Sequence, residues 1–141
     1  MALTKMEHYL VLTDDIHVTR DFYRDVLGLS EGFRPPMEFP GYWLYLGDTP
    51  CIHIGDWNVY TLVATRQGIP VSAPAPGTGP VDHIAFNATD FEGTVQTLES
   101  HGVEFCRNAV PAVGLRQLFF EDPNGVKIEL NFMSGARAAD A

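Results

Sequence analysis

The feature that most constrains this fold is a repetition. The phrase Glu7-His8-Tyr9-Leu10-Val11-Leu12 returns as Asp82-His83-Ile84-Ala85-Phe86, with the two histidines 75 residues apart. The helix-opening acids Asp15 and Asp90 keep the same 75-residue spacing, the glycines Gly28 and Gly102 stand 74 apart, and His53 and Glu129 stand 76 apart. A spacing held within one residue through strand, helix stop and final hairpin marks two copies of one supersecondary unit.

Each copy reads as βαβββ. In the first, alternation over Glu7 to Thr13 gives a strand, and Asp14 and Asp15 offer cap oxygens. Thr19, Phe22, Tyr23, Val26 and Leu27 then form a helical stripe that stops at Gly28. Leu29 to Phe33, Gly41 to Leu46 and Cys51 to Ile54 follow as strands around the Pro35-Pro36 break and the Gly47 to Pro50 turn. In the second copy, strand Val81 to Asn87 leads to a helix opened by a Thr89/Glu92 capping box and closed at Gly102. Strands Val103 to Arg107, Leu115 to Phe120 and Val126 to Phe132 follow, the last two joined by the turn Asp122-Pro123-Asn124-Gly125. Neither copy can bury a sheet alone. The expectation is an α+β chain, 1–141, of paired βαβββ modules forming a curved mixed sheet with helices outside: module one 5–56, loop 57–79, module two 80–132, tail 133–141. Pro70, Pro74, Pro76 and Pro80 mark the second half of that loop, which is expected to serve as a linker or a mobile cover, with a short strand or helix turn over Asn58 to Thr65.

The repeat also aligns polar side chains. His8 and His83 sit early in the first strand of each copy, and His53 and Glu129 occupy the last strands, flanked by Ile52 and Ile54 or Ile128 and Leu130. Alternation sends the aliphatic neighbours under the helices and leaves the four polar groups to converge inside the curve. Three imidazoles and a carboxylate suit one divalent transition metal, Fe(II) first, with Mn(II), Zn(II), Ni(II) and Co(II) as alternatives. His53 is read as the fourth ligand or a catalytic base beside the metal. Trp43, Tyr45, Arg116 and Leu118 are expected to line the substrate cavity. His17 and His101 lack a repeat-related partner and read as surface residues, and Cys51 reads as a packed small side chain.

The chain resembles the vicinal oxygen chelate superfamily of glyoxalases, bleomycin-resistance proteins and extradiol dioxygenases. The resemblance rests on Asp21-Phe22-Tyr23 with Val26-Leu27-Gly28-Leu29, on Asp82-His83-Ile84-Ala85-Phe86, and on Asp122-Pro123-Asn124-Gly125 followed by Ile128-Glu129-Leu130, and it covers roughly residues 5 to 132. It implies that His8, His83 and Glu129 are the two-histidine, one-carboxylate metal set. His53 falls where glyoxalase I has a glutamate, and Leu118-Phe119-Phe120 falls where extradiol enzymes have a tyrosine. A ring-cleaving, extradiol-type dioxygenase acting on a small vicinal-oxygen aromatic is the leading expectation. A glyoxalase-like lyase or epimerase working on an enediolate comes second, and a drug-sequestering protein third.

Charge narrows the partners. Nine basic against eighteen acidic residues give a net charge of −9, which argues against nucleic acid and anionic membranes, and the resemblance implies a small molecule as the ligand. No apolar run is long enough to span a bilayer, and two cysteines make no disulfide framework, so the cytoplasm is the expected compartment. Exposed sheet edges predict a homodimer.

Overall fold

The structure is a computed structural model, and residues 1–134 are described; most of the expected tail, 135–141, lies outside the described residues. The chain divides into two compact units, Met1–Ala75 and a second that begins at Pro76.

The first unit opens with β1 (Tyr9–Thr13), followed by α1 (Ile16–Asp25). Asp15 caps α1, its Oδ1 accepting from the backbone N–H groups of His17 and Val18 at 3.1 and 3.0 Å. Thr19 and Tyr23 are the helix residues fully buried against the sheet. Strands β2 (Ser30–Gly32), β3 (Gly41–Leu46) and β4 (Thr49–Asp56) complete a four-stranded mixed sheet in the order β1-β4-β3-β2, with β1 parallel to β4.

The second unit repeats this. Strand β5 (Ile84–Asn87) leads to α3 (Phe91–Ser100), and β6 (Phe105–Val110), β7 (Leu115–Glu121) and β8 (Lys127–Met133) form a sheet in the equivalent order β5-β8-β7-β6. The α+β class and the βαβββ plan of each module therefore stand, with the strands hydrogen-bonded as two four-stranded sheets.

In both units the face under the helix is the core. Leu44, Ile52 and Ile54 in the first, and Leu118, Ile128 and Leu98 in the second, are at most 1% exposed. Burying each such side chain contributes roughly 1.5–3 kcal/mol. The opposite faces carry the residues of interest: successive side chains alternate, so His53 stands away from Ile52 and Ile54, and Glu129 from Ile128 and Leu130.

Two expectations are corrected here. The segment foreseen as a loop from residue 57 begins with α2 (Trp57–Gln67), capped by Asp56 and stopped by left-handed Gly68, and its Val63 and Ala64 are buried. Only after it is the connection without helix or strand, and its far end is fastened within the second unit, where Gly77 N–H donates to Asn124 O at 3.0 Å. The cap of α3 is Asp90, not Thr89. Asp90 takes φ 63° and accepts from Gly93 N–H at 3.0 Å. A Cβ at Gly93 would come within 2.1 Å of the Asp90 carboxylate, so the glycine makes this cap geometry available.

Candidate metal and substrate site

In the first unit, His8 immediately precedes β1 and His53 lies on β4, paired in register with Leu10 on one side and Trp43 on the other. Three rings form a stack. His53 lies 3.7 Å from His8 at 13° and 3.9 Å from Trp43 at 9°, so both faces of its imidazole are covered. His53 is 9% exposed, and its Nε2 is buried with no hydrogen-bond partner among the described residues. Burial, and then the neighbouring His8 ring, push its pKa down to about 4, against a hydrogen bond to the Pro50 backbone that raises it. At neutral pH it is an uncharged imidazole with an unused nitrogen. His8 Nδ1 lies 2.8 Å from Glu7 Oε1, which orients the ring and leaves its Nε2 as the second available nitrogen.

In the second unit, His83 immediately precedes β5 and repeats that pairing, with Nδ1 2.7 Å from Asp82 Oδ2. Asp82 also receives Lys127 Nζ at 2.8 Å, and these two contacts, Lys127 first, hold its carboxyl below the usual range. His83 Nε2 stands 3.7 Å from Glu129 Oε1. Glu129 is held in a ladder of amides. Gln117 Nε2 donates to Oε1 at 3.3 Å and Asn131 Nδ2 to Oε2 at 3.0 Å, while Asn108 donates to Gln117 Oε1 at 2.7 Å. Two donors on a carboxylate that is 15% exposed fix its orientation.

Each unit thus presents one pair: His8 with His53, and His83 with Glu129. Among the described residues no cluster of three or more His, Cys, Asp or Glu side chains is assembled. The residue types in these pairs nevertheless fit a divalent transition metal chemically: imidazoles, one oriented carboxylate, and at His53 a buried nitrogen whose lone pair nothing else uses.

The expected cavity wall is partly corrected. Trp43 lies against His53 as described, whereas the Tyr45 ring covers Gly32 and its hydroxyl donates to the Phe33 carbonyl, which makes it a brace between β3 and the β2 end. Leu118 is fully buried opposite Leu130, on the helix-covered face. Arg116 shares that parity: its guanidinium lies 3.9 Å from the centre of the Phe91 ring and 3.5 Å from Glu92 on α3. The β7 residues on the face of Glu129 include Gln117 and Phe119, the latter edge-on to His83 with ring centres 6.4 Å apart. The signal for them was the polar pair Gln117 and Asn131, which register opposite each other. His17 and His101 are exposed, bonded to Tyr42 and to the Thr97 carbonyl. Cys51 is half-buried, and burial raises its thiol pKa, which keeps it protonated. No described helix is long and apolar enough to cross a membrane.

Comparison with known proteins agrees with the fold. Glyoxylase I 4 of Arabidopsis thaliana is 30% identical, over 92% of this chain and 71% of that protein. A lactoylglutathione lyase from Agrobacterium tumefaciens has a similar fold, with a TM-score of 0.69 and 18% identity over 93% of this chain and 95% of that one. A variant of the fosfomycin resistance protein FosX from Listeria monocytogenes, solved with Mn(II), gives 0.70 and 14% over 99% and 100%. The family model of the Glyoxalase/Bleomycin resistance protein/Dioxygenase superfamily matches residues 5–130, so the chain belongs to that superfamily.

Proposed function

We propose that this chain is a divalent-metal enzyme whose ligands are His8, His83 and Glu129, with His53 as the fourth, and that it carries out glyoxalase-like lyase or isomerase chemistry on a small substrate bearing two vicinal oxygens. The observation that carries this reading is the repeat-related pairing of His8 with His53 and of His83 with Glu129 on the polar faces of two matching sheets. The name of the Arabidopsis relative supports the choice of chemistry. When bound, the metal supplies Lewis acidity toward the two oxygens.

The chain's own residues do the rest. His53, clamped between His8 and Trp43, stays neutral and keeps one nitrogen available. Glu129 is the carboxylate positioned to take up and return a proton, at Oε1 beside His83 and the Gln117 amide. Asn131 holds the other oxygen still. Trp43 and Phe119 supply apolar surface that keeps water from the reacting atoms.

A second reading, ring-cleaving dioxygenase with Fe(II), is favoured by one observation: an imidazole, His53, stands where a proton-transferring carboxylate would serve an isomerase. Chain purified without oxygen and analysed for metal separates the two. Exchange of solvent deuterium into a vicinal-oxygen substrate without oxygen uptake supports the first reading, and oxygen consumption with catechols supports the second. A metal-loaded chain that does neither is a sequestering protein. The working form is proposed to be a homodimer, since each sheet ends in unpaired edge strands; a stable 15.6 kDa species in sedimentation would overturn it.

A further inference from the structure

The first unit contains a half-buried cation with no counter-charge. Arg20, Arg24, Arg66, Arg116 and Lys127 each have a carboxylate within ion-pair distance, whereas among the described residues Arg34 has none. Its Nη2 donates to the Phe39 carbonyl at 2.7 Å, its guanidinium lies 5.0 Å from the centre of the Phe39 ring, and its Nε is buried without a partner. Bracing the 34–39 loop uses one N–H of a five-donor group. Taking a guanidinium partly out of water costs free energy that one neutral hydrogen bond does not offset.

The position is built by two glycines. Gly41 on β3 and Gly55 on β4 face each other in register. A Cβ on Gly41 would collide with the Ile54 carbonyl and stand 3.1 Å from Arg34 Nη2, and a Cβ on Gly55 would come within 2.9 Å of the Phe39 ring. Alternation puts Gly41 on the face of Trp43 and Gly55 on the face of His53, and Trp43 and His53 are the register pair two residues along. Arg34 and Phe39 therefore lie over the same face as the stacked rings, about 7 Å along the strands from them.

We propose that Arg34 anchors an anionic substituent, a carboxylate or phosphate-type oxyanion, of the molecule that binds beside His53. The charge and fan of donors on a guanidinium suit an oxyanion, and the one hydrogen bond to the Phe39 carbonyl leaves most of those donors for it. Calling that molecule the substrate rests on the function proposed above; the oxyanion site itself does not.

Two titrations keep the claims apart. Benzoate added to the metal-free chain should move the Nε–H NMR signal of Arg34, assigned by its loss in Arg34→Met, while neutral benzyl alcohol leaves it in place. If benzoate does not move the signal, or if benzyl alcohol moves it equally, the anchor is overturned. Calorimetry of the Mn(II)-loaded chain should show 3,4-dihydroxybenzoate binding about tenfold more tightly than catechol. Arg34→Met should erase that preference with catechol affinity and metal content unchanged, and Arg34→Lys should restore part of it. Persistence of the preference in Arg34→Met overturns the anchor. If neither diphenol binds while benzoate still shifts Arg34, the anion site stands and the vicinal-oxygen reading falls.

Discussion

The two units share a frame and differ in how they hold their polar pair. In the first, His8 and His53 sit in a stack of flat rings, with Trp43 as the outer layer. In the second, His83 and Glu129 sit in a net of carboxylate and amide hydrogen bonds that runs from Asn108 through Gln117 and Asn131. Strand order and buried aliphatic rows are equivalent in the two, and Trp43 pairs with His53 as Phe119 pairs with Glu129. A duplicated backbone thus fixes where a side chain emerges, and the neighbours on the exposed face decide its chemistry: an apolar stack keeps an imidazole neutral, and an amide net holds a carboxylate in one orientation.

The largest test removes the second pair. Glu129→Ala or His83→Ala should lower affinity for Mn(II) or Zn(II) by about a thousandfold, with the far-ultraviolet circular dichroism retained. Full metal occupancy in either variant would mean that the hydrogen-bonded pair is structural.

The next test separates the units by pH. Because the folded pKa of His53 is about 4 against an ordinary value of 6.5, the unfolded chain binds more protons between those values, and stability must fall as pH drops through that window. The loss is on the order of 3 kcal/mol at most. Urea unfolding of metal-free His53→Gln should lack this dependence; an unchanged pH slope would show that the stack does not hold His53 neutral.

A smaller effect is expected at Gln117. Replacing it by Ala removes one donor to Glu129 and breaks the link to Asn108, and should weaken metal binding about tenfold. Titration with Zn(II) and a competing chelator reads this directly, and an affinity within twofold of the parent chain would make the amide net incidental. The smallest effect belongs to Trp43→Leu, which keeps apolar cover but loses ring stacking on His53. About 1 kcal/mol of stability should go, measured by chemical denaturation, with metal stoichiometry intact.

How much was legible in the sequence follows from the same comparison. The repeat put His8, His53, His83 and Glu129 at equivalent strand positions, and β3 begins and ends where alternation and turn residues indicate. Parity failed on β7, because Leu115, Leu118, Phe119 and Phe120 are apolar on both faces and no alternation tells Arg116 from Gln117; only the register with β8 does. At α2 the sequence left a short strand and a helix turn both open over Asn58 to Thr65, because Trp57, Val59, Tyr60, Leu62, Val63 and Ala64 surround the axis without a clear stripe. Arg34 lies in an irregular segment after Gly32, where periodicity carries no information, and its place became readable only once Gly41 and Gly55 were seen to face each other.

The ring stack also gives the molecule an optical reporter. The chain has two tryptophans, and Trp43 alone lies flat on an imidazole, while Trp57 directs its indole N–H toward the Ser72 carbonyl. Whatever withdraws electron density from His53, whether a proton near pH 4 or a metal cation, acts across 3.9 Å on the excited indole. Emission from Trp43 is therefore expected to change with what the neighbouring nitrogen holds, and, because Trp57 emits as well, the signal is the difference between the parent chain and Trp43→Leu.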